Sequence, residues 1–243
     1  MLVRGGCDVE QIVPYLAGQD IEIVRELNII PYRRDHLCYL LGSVRYTEEE
    51  RKKIEEEVMF VTSKSFETDL YGNTFDFFLW SSVVIMMQGL YVNKNNENLV
   101  VAYKNFDTPF DFENDIYNEY DAGQINTFTE NWSYFPHMSS EKYLNDLTSL
   151  YEKLPEKTKL ILITGSEVPV MEGKEKGRHL VHAEINKISE EFAETHSRVL
   201  LLDIRKFVKT DDDLTNNIRH FKNFVYRKAA DELMNIIRES ERQ

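Results

Sequence analysis

The chain is poor in cysteine, proline and glycine, with two, six and ten of them among 243 residues. Two cysteines, Cys7 and Cys38, cannot staple a small disulfide scaffold, and so few Pro and Gly exclude a collagen-like or low-complexity chain. Basic side chains are also in deficit, 29 Lys and Arg against 42 Asp and Glu, for a formal charge of −13. Binding to nucleic-acid phosphates needs a clustered excess of Lys and Arg. No such cluster appears, so no nucleic-acid partner is expected. Long apolar runs are missing as well. The most hydrophobic stretch, residues 75–92, is interrupted by Asp76, Ser81, Ser82 and Gln88, which makes it too polar for a membrane span of about 20 residues. Met1 runs into Leu2-Val3-Arg4 without the basic region and long apolar core of a secretory signal, which points to a cytoplasmic protein with reduced thiols.

What remains is an ordinary globular composition, 42% hydrophobic, long enough for one large or two small domains. A core of this size removes roughly three quarters of the unfolded chain's surface from water, so no metal or disulfide is needed to hold it. Strands and helices interleave. Apolar runs at 2–4, 75–80, 83–87, 99–103, 159–164 and 199–202 read as strands. Helical spacing follows Val9, continues through Ile54 and Val58 behind a Thr47/Glu50 capping box, and returns in Tyr143, Leu147 and Leu150, in Ile185, Ile188 and Phe192, and in Phe221, Val225, Ala229 and Leu233. The expected fold is therefore a three-layer α/β/α sandwich with a mainly parallel sheet of about five strands, the run Leu2 to Arg4 lying centrally. No repeat or linker divides the chain, which reads as one domain over 1–243 with an elaborated insertion at about 105–141.

That insertion holds no Lys or Arg, but eight acids, among them Asp107, Asp111, Glu113 and Asp115, interleaved with aromatics from Phe106 to Phe135. So many aromatics argue against disorder. Asp111, Glu113 and Asp115 mimic the spacing of a calcium loop, but Ile116 stands where that loop needs glycine. The segment reads either as a long surface loop pinned by its aromatics or as a lid over a site, its uncompensated acids offering a field to a cationic group or basic partner.

In a doubly wound fold, ligands bind beyond the carboxyl ends of the strands. Gly5-Gly6-Cys7-Asp8 follows the first strand and brings Cys7 to the start of a helix, where unpaired N–H groups favour a thiolate. The same thiol also fits a buried small hydrophobe. A thiol nucleophile needs a base, and His220, which follows Asp211-Asp212-Asp213 and Asn217 and opens the last amphipathic helix as His220-Phe221, has the most informative setting of the six histidines. Asp213, as a carboxylate, or Asn217 is the expected orienter of its ring. His179 and His182 share a helix with Glu184, but no third ligand is recognisable and both read as solvated, so no metal or cofactor is expected.

A strand-borne Gly-x-Cys turn paired with a late His-aromatic dipeptide, His220-Phe221, resembles the SGNH (GDSL-like) hydrolase superfamily. It is nearest to divergent bacterial members with a cysteine in the first block, several of them linked to surface-polysaccharide biosynthesis. The resemblance implies an SGNH/flavodoxin-like fold, Cys7 in place of the nucleophilic serine and His220 as the block V histidine. It departs from the family where Asn217 stands for the block V aspartate and where Ser81 and Ser82 replace the Gly-x-Asn-Asp motif, leaving backbone N–H groups such as those of Cys7 and Gly89 as oxyanion donors. The implied activity is acyl transfer on a small-molecule or carbohydrate ester or thioester, by hydrolysis or to a hydroxyl. The alternative is a non-catalytic binding protein on a degenerate form of the same fold; a carboxylate-based metal hydrolase is the weakest reading.

Overall fold

The computed structural model describes residues 1–26, 36–81, 83, 89–103, 120–135, 138–170 and 176–242, without the side chains of Cys7 and Ser63. The strands are β1 (Leu2–Arg4), β2 (Val24–Glu26), β3 (Phe77–Ser81), β4 (Gly89–Asn93), β5 (Asn96–Tyr103), β6 (Trp132–Phe135), β7 (Lys159–Ile163) and β8 (Val199–Leu202). The chain divides into two compact units, one of residues 1–27, 73–83 and 154–243, the other of 28–72 and 84–153.

The first unit is built on a five-stranded sheet in the order β2-β1-β3-β7-β8, every pairing parallel. Its strands are short and apolar throughout, as strands covered on both faces must be; all five residues of β3 are buried. β1 is interior, as expected, although the middle strand is β3. On one face Val3, Leu79, Ile161 and Ile163 pack against Val9 and Ile12 of α1 (Cys7–Ile12) and Val225, Ala229 and Leu233 of α7 (Asn223–Glu241). The opposite layer holds α6 (Arg178–Thr195), which connects β7 to β8 and buries Ile185 and Phe192. This is a three-layer α/β/α arrangement.

The second unit is smaller-stranded, an antiparallel sheet in the order β5-β4-β6, with α2 (Leu37–Arg45), α3 (Glu48–Glu57), α4 (Ala122–Asn131) and α5 (Ser140–Lys153). α3 starts where the sequence places it, with Glu50 N–H donating to Thr47 Oγ1 at 3.2 Å and Thr47 N–H to Glu50 Oε2 at 2.9 Å. One sheet face carries Tyr91 and Tyr103, whose rings lie 4.9 Å from Phe128 and 4.6 Å from Phe60 respectively. The outer edge of β5 is closed by two α2-region phenols: Tyr39 Oη donates to Ala102 O at 2.8 Å, and Tyr46 Oη accepts from Val100 N–H at 3.0 Å. A capped edge of this kind removes the unpaired backbone that invites aggregation.

Of the strands expected at 75–80 and 83–87, the first becomes β3 in the parallel sheet, while 82 and 84–88 lie outside the described residues and the next strand, β4, belongs to the antiparallel sheet. The 105–141 segment is not simply a loop. Residues 105–119 and 136–137 are outside the described set, but Asp121 caps α4 through Gln124, and β6 and the start of α5 follow. Residues 24–26 add β2 beside β1, and 27–35 lie outside the described residues. No described helix is long and apolar enough to cross a membrane.

At the carboxyl end of the β1–β2 pair, Arg4 and Glu26 stand opposite each other and form an ion pair, their side chains 2% and 9% exposed. Removing one partner of a buried pair strands the other charge, whereas an apolar pair of similar volume is tolerated. Glu26→Ala should therefore cost about 3–5 kcal/mol in urea unfolding, and the double change Arg4→Met/Glu26→Leu should recover most of that loss. Equal losses in the single and double variants would refute the loss of charge compensation as the cause.

Candidate active site at the carboxyl edge of the parallel sheet

Parallel pairing sends the carboxyl ends of β1, β3, β7 and β8 to one edge, and the polar turn residues collect there. After β1 the chain must bend at once into α1. A Cβ on Gly5 would lie 2.4 Å from Val9 Cγ2 and 3.3 Å from Ser81 Cβ, so only glycine permits this approach. Cys7 is the first residue of α1, behind Gly6, whose N-cap position supplies no side-chain bond to the exposed N–H groups. The Cys7 side chain is outside the described set. Asp8, beside Cys7, is buried and accepts a hydrogen bond from the buried Ser81 hydroxyl. Ser82, its neighbour in the same expectation, is outside the described residues. Gly89, considered as an oxyanion donor, opens β4 opposite Tyr103 in the antiparallel sheet.

The turn after β7 is held by α6. Asn186 brackets Gly165, accepting from its N–H at 2.7 Å and donating to its carbonyl at 2.9 Å, and its amide also reaches Glu167 Oε1 at 2.7 Å. Glu167 is bound in turn by Arg205 at 2.9 Å, and Arg205 also engages Glu190 and Asp203. Burial alone pushes the Asp203 carboxyl up, but the Arg205 hydrogen bond and charge, with the Thr164 hydroxyl, outweigh it and hold the group below the usual carboxylate range. Arg205 is raised, above all by Asp203.

His182 corrects the expectation of a solvated helix histidine, since it is fully buried. Its Nδ1 lies 2.7 Å from Ser166 O. A carbonyl oxygen only accepts, so Nδ1 carries the proton and Nε2 is a lone-pair nitrogen, buried without a hydrogen-bond partner among the described residues. Burial, countered by the Ser166 carbonyl and reinforced by Arg219 and Arg178, brings its pKa down to about 4. Gly165 has to be glycine here, because a Cβ would meet the ring at 2.7 Å. His179 instead accepts from Val170 N–H at 3.2 Å.

His220 lies ahead of α7 rather than at its first residue, since Lys222 is the N-cap. It sits in a loop closed by the Leu214↔Phe221 bridge, where Thr215 N–H donates to His220 O at 2.8 Å. Its Nδ1 is 3.0 Å from Asn217 Nδ2 and 2.6 Å from Asn216 Oδ1. Two lone-pair atoms repel at 2.6 Å, so the shorter contact assigns the proton to Nδ1 and leaves Nε2 as the accepting nitrogen. In that tautomer Asn217 Nδ2, itself a donor, lies beside the ring without orienting it, and the acceptor is Asn216, which the sequence did not single out. Asp213 is used elsewhere: its Oδ2 accepts from Lys209 N–H at 2.7 Å and Thr210 N–H at 3.0 Å, which depresses its pKa. The signal for that role was the Thr210/Asp213 spacing of a capping box.

No known protein family's model matches this chain, and no curated protein matches it in sequence.

The buried neutral His182 predicts a pH dependence with a definite sign. Its folded pKa lies below its ordinary value of 6.5, so unfolding takes up a proton in the window between about 4 and 6.5. Its contribution to stability is complete above that window and vanishes as pH falls through it, a loss of about 3 kcal/mol. His182→Gln retains a donor for Ser166 O and should flatten the urea-midpoint profile between pH 6.5 and 4. A variant as steeply pH-dependent as the wild type would remove His182 as the source.

Proposed function

We propose that the chain is an SGNH-like acyl-transfer enzyme in which the Cys7 thiolate attacks an ester or thioester carbonyl and His220 moves the proton. The observation that carries this reading is the orientation of the His220 ring. With Nδ1–H committed to Asn216 Oδ1 at 2.6 Å, Nε2 is the ring nitrogen that would accept a thiol proton and return it to the leaving group. An amide rather than a carboxylate behind the ring stabilises the imidazolium less, which suits a nucleophile whose ionisation is favoured by the start of a helix and needs less help from its base. The Gly5-Gly6 turn further supports the reading, because it allows a residue directly after an interior strand to stand at the carboxyl edge.

In chemical terms, the Cys7 sulfur bonds to the acyl carbon as the carbonyl π pair moves to oxygen. Collapse of that adduct expels an alcohol or thiol, protonated by His220, and leaves an acyl-thioester. Water or a sugar hydroxyl, deprotonated by His220, then attacks the thioester and restores the thiol. The acceptor decides between hydrolysis and transfer. A carbohydrate acyl ester is the substrate class that the resemblance implies, and a cationic substrate group or basic partner would complement the acids of residues 105–141.

Cys7→Ala should abolish turnover of an activated acyl ester while the unfolding transition is retained. Cys7→Ser should keep a small residue of activity, and His220→Ala should damage the Ser variant more than the wild type, since a hydroxyl depends wholly on the base. Asn216→Ala should lower kcat with little change in KM. A wild type with no burst, no acyl-thioester detectable by mass and no difference from Cys7→Ala across several acyl donors would leave the binding-protein alternative in possession.

A further inference from the structure

The second unit contains a cleft of about 690 Å³ whose walls come from α2, α5 and the sheet β5-β4-β6. Its floor follows from strand alternation. Val92 pairs with Val100, and Leu90 pairs with Phe135, so these four side chains share the sheet face opposite Tyr91 and Tyr103. Leu90 and Val100 are buried, whereas Phe135 keeps 50% of its surface exposed, an apolar ring at the mouth of the cleft. The volume is that of a site for a small organic ligand.

Part of the lining is cationic. Asp146, 7% exposed, accepts from Arg45 Nη1 at 3.2 Å and from Lys142 Nζ at 2.8 Å. One carboxylate cannot neutralise two cations, and each contributes only one N–H to it. Arg45 and Lys142 retain 38% and 42% exposure, so their remaining donors face water or whatever enters. With Lys94 and Glu97 included, three cations line the cleft against two carboxylates. That is a local reversal of sign in a chain of formal charge −13. A cationic ligand would meet like charge there, and a neutral one would leave the surplus unused.

We propose that this cleft binds a small carboxylate-headed amphiphile of the medium-chain fatty-acid type, the carboxylate received by Arg45 and Lys142 and the alkyl chain laid along Leu90, Val92, Val100 and Phe135. A carboxylate fits a guanidinium and an ammonium that are already held in place by Asp146, so little side-chain freedom is lost on binding. The alkyl chain removes the exposed Phe135 ring from water. The proposal does not draw on Cys7 or His220, and the site stands whether or not acyl transfer does.

Titration calorimetry on the full chain with dispersed decanoate tests it. The expected result is saturable one-to-one binding, with decanol weaker by about tenfold and decyltrimethylammonium not binding. Lys142→Gln, which leaves Asp146 its Arg45 partner, and Phe135→Ser, at a half-exposed position, should each weaken decanoate by roughly three- to tenfold, with unchanged circular dichroism confirming that both remain folded. The proposal is overturned by absence of saturable binding, by equal affinity for decanoate and decyltrimethylammonium, or by decanoate binding indifferent to both substitutions. Binding to anionic phospholipid vesicles without binding of dispersed decanoate would also overturn it. So would a concentration-dependent dimer in sedimentation that Phe135→Ser abolishes, which would assign the face to a second copy of the chain.

Discussion

Parallel strand pairing is the constraint on which the arrangement of the first unit rests. Each strand of the order β2-β1-β3-β7-β8 must leave the sheet on the same side, so residues as distant in the chain as Gly5, Ser81, Gly165 and Asp203 arrive at one edge. An antiparallel order would have sent alternate ends apart. The edge is crowded as a consequence: Gly5 has no room for a Cβ beside Val9, and Gly165 has none beside His182. Both glycines are where they are because backbone and side chain approach there more closely than any larger residue allows.

The polar residues of that edge serve first to hold each other. Thr164 Oγ1 accepts from Ile204 N–H at 2.9 Å and donates to Asp203 Oδ1 at 3.0 Å, joining the ends of β7 and β8. Through Asp203, Arg205, Glu167 and Asn186 the connection returns to Gly165. Partly buried polar groups strengthen one another only when each is satisfied, and the groups of this chain from Thr164 to Asn186 are bonded to one another. Among the described residues, His182 Nε2 beside them is a buried lone pair without a donor, in a position that keeps the ring neutral. A rigid turn of this kind is suitable backing for chemistry on neighbouring loops, because a catalytic group gains from supports that do not move.

The second unit is organised by contrast between the faces of one small sheet. Aromatic rings from Phe60, Phe128, Tyr91 and Tyr103 fill one side. On the other, Tyr39 and Tyr46 use their hydroxyls on the backbone of β5, and the rest of the face opens into the Arg45 and Lys142 cleft. A phenol is apolar along its ring and polar at its tip, so these two residues can bury against the sheet and still satisfy an edge strand.

Several features were determined by sequence alone. The α/β class followed from short apolar runs alternating with helical spacing, and the start of α3 followed from Thr47 and Glu50, because hydrophobic period and capping are local properties. The Gly-Gly turn and the Asn217 contact to His220 were legible for the same reason, each lying within a few residues of what it touches. Tertiary structure decided the rest. The assignment of β3 and β4 to different sheets depends on partners far along the chain, β7 for one and β6 for the other. Thr210 and its cap claimed Asp213, a competition that a list of carboxylates near a histidine cannot foresee. The burial of His182 depends on the Gly165 turn being folded over it, with its ring bonded to Ser166 O sixteen residues upstream. The cleft of the second unit needs α2, α5 and three strands together. Local pattern specifies which face of an element is apolar; only packing specifies what that face meets, because the free energy of a contact belongs to both partners.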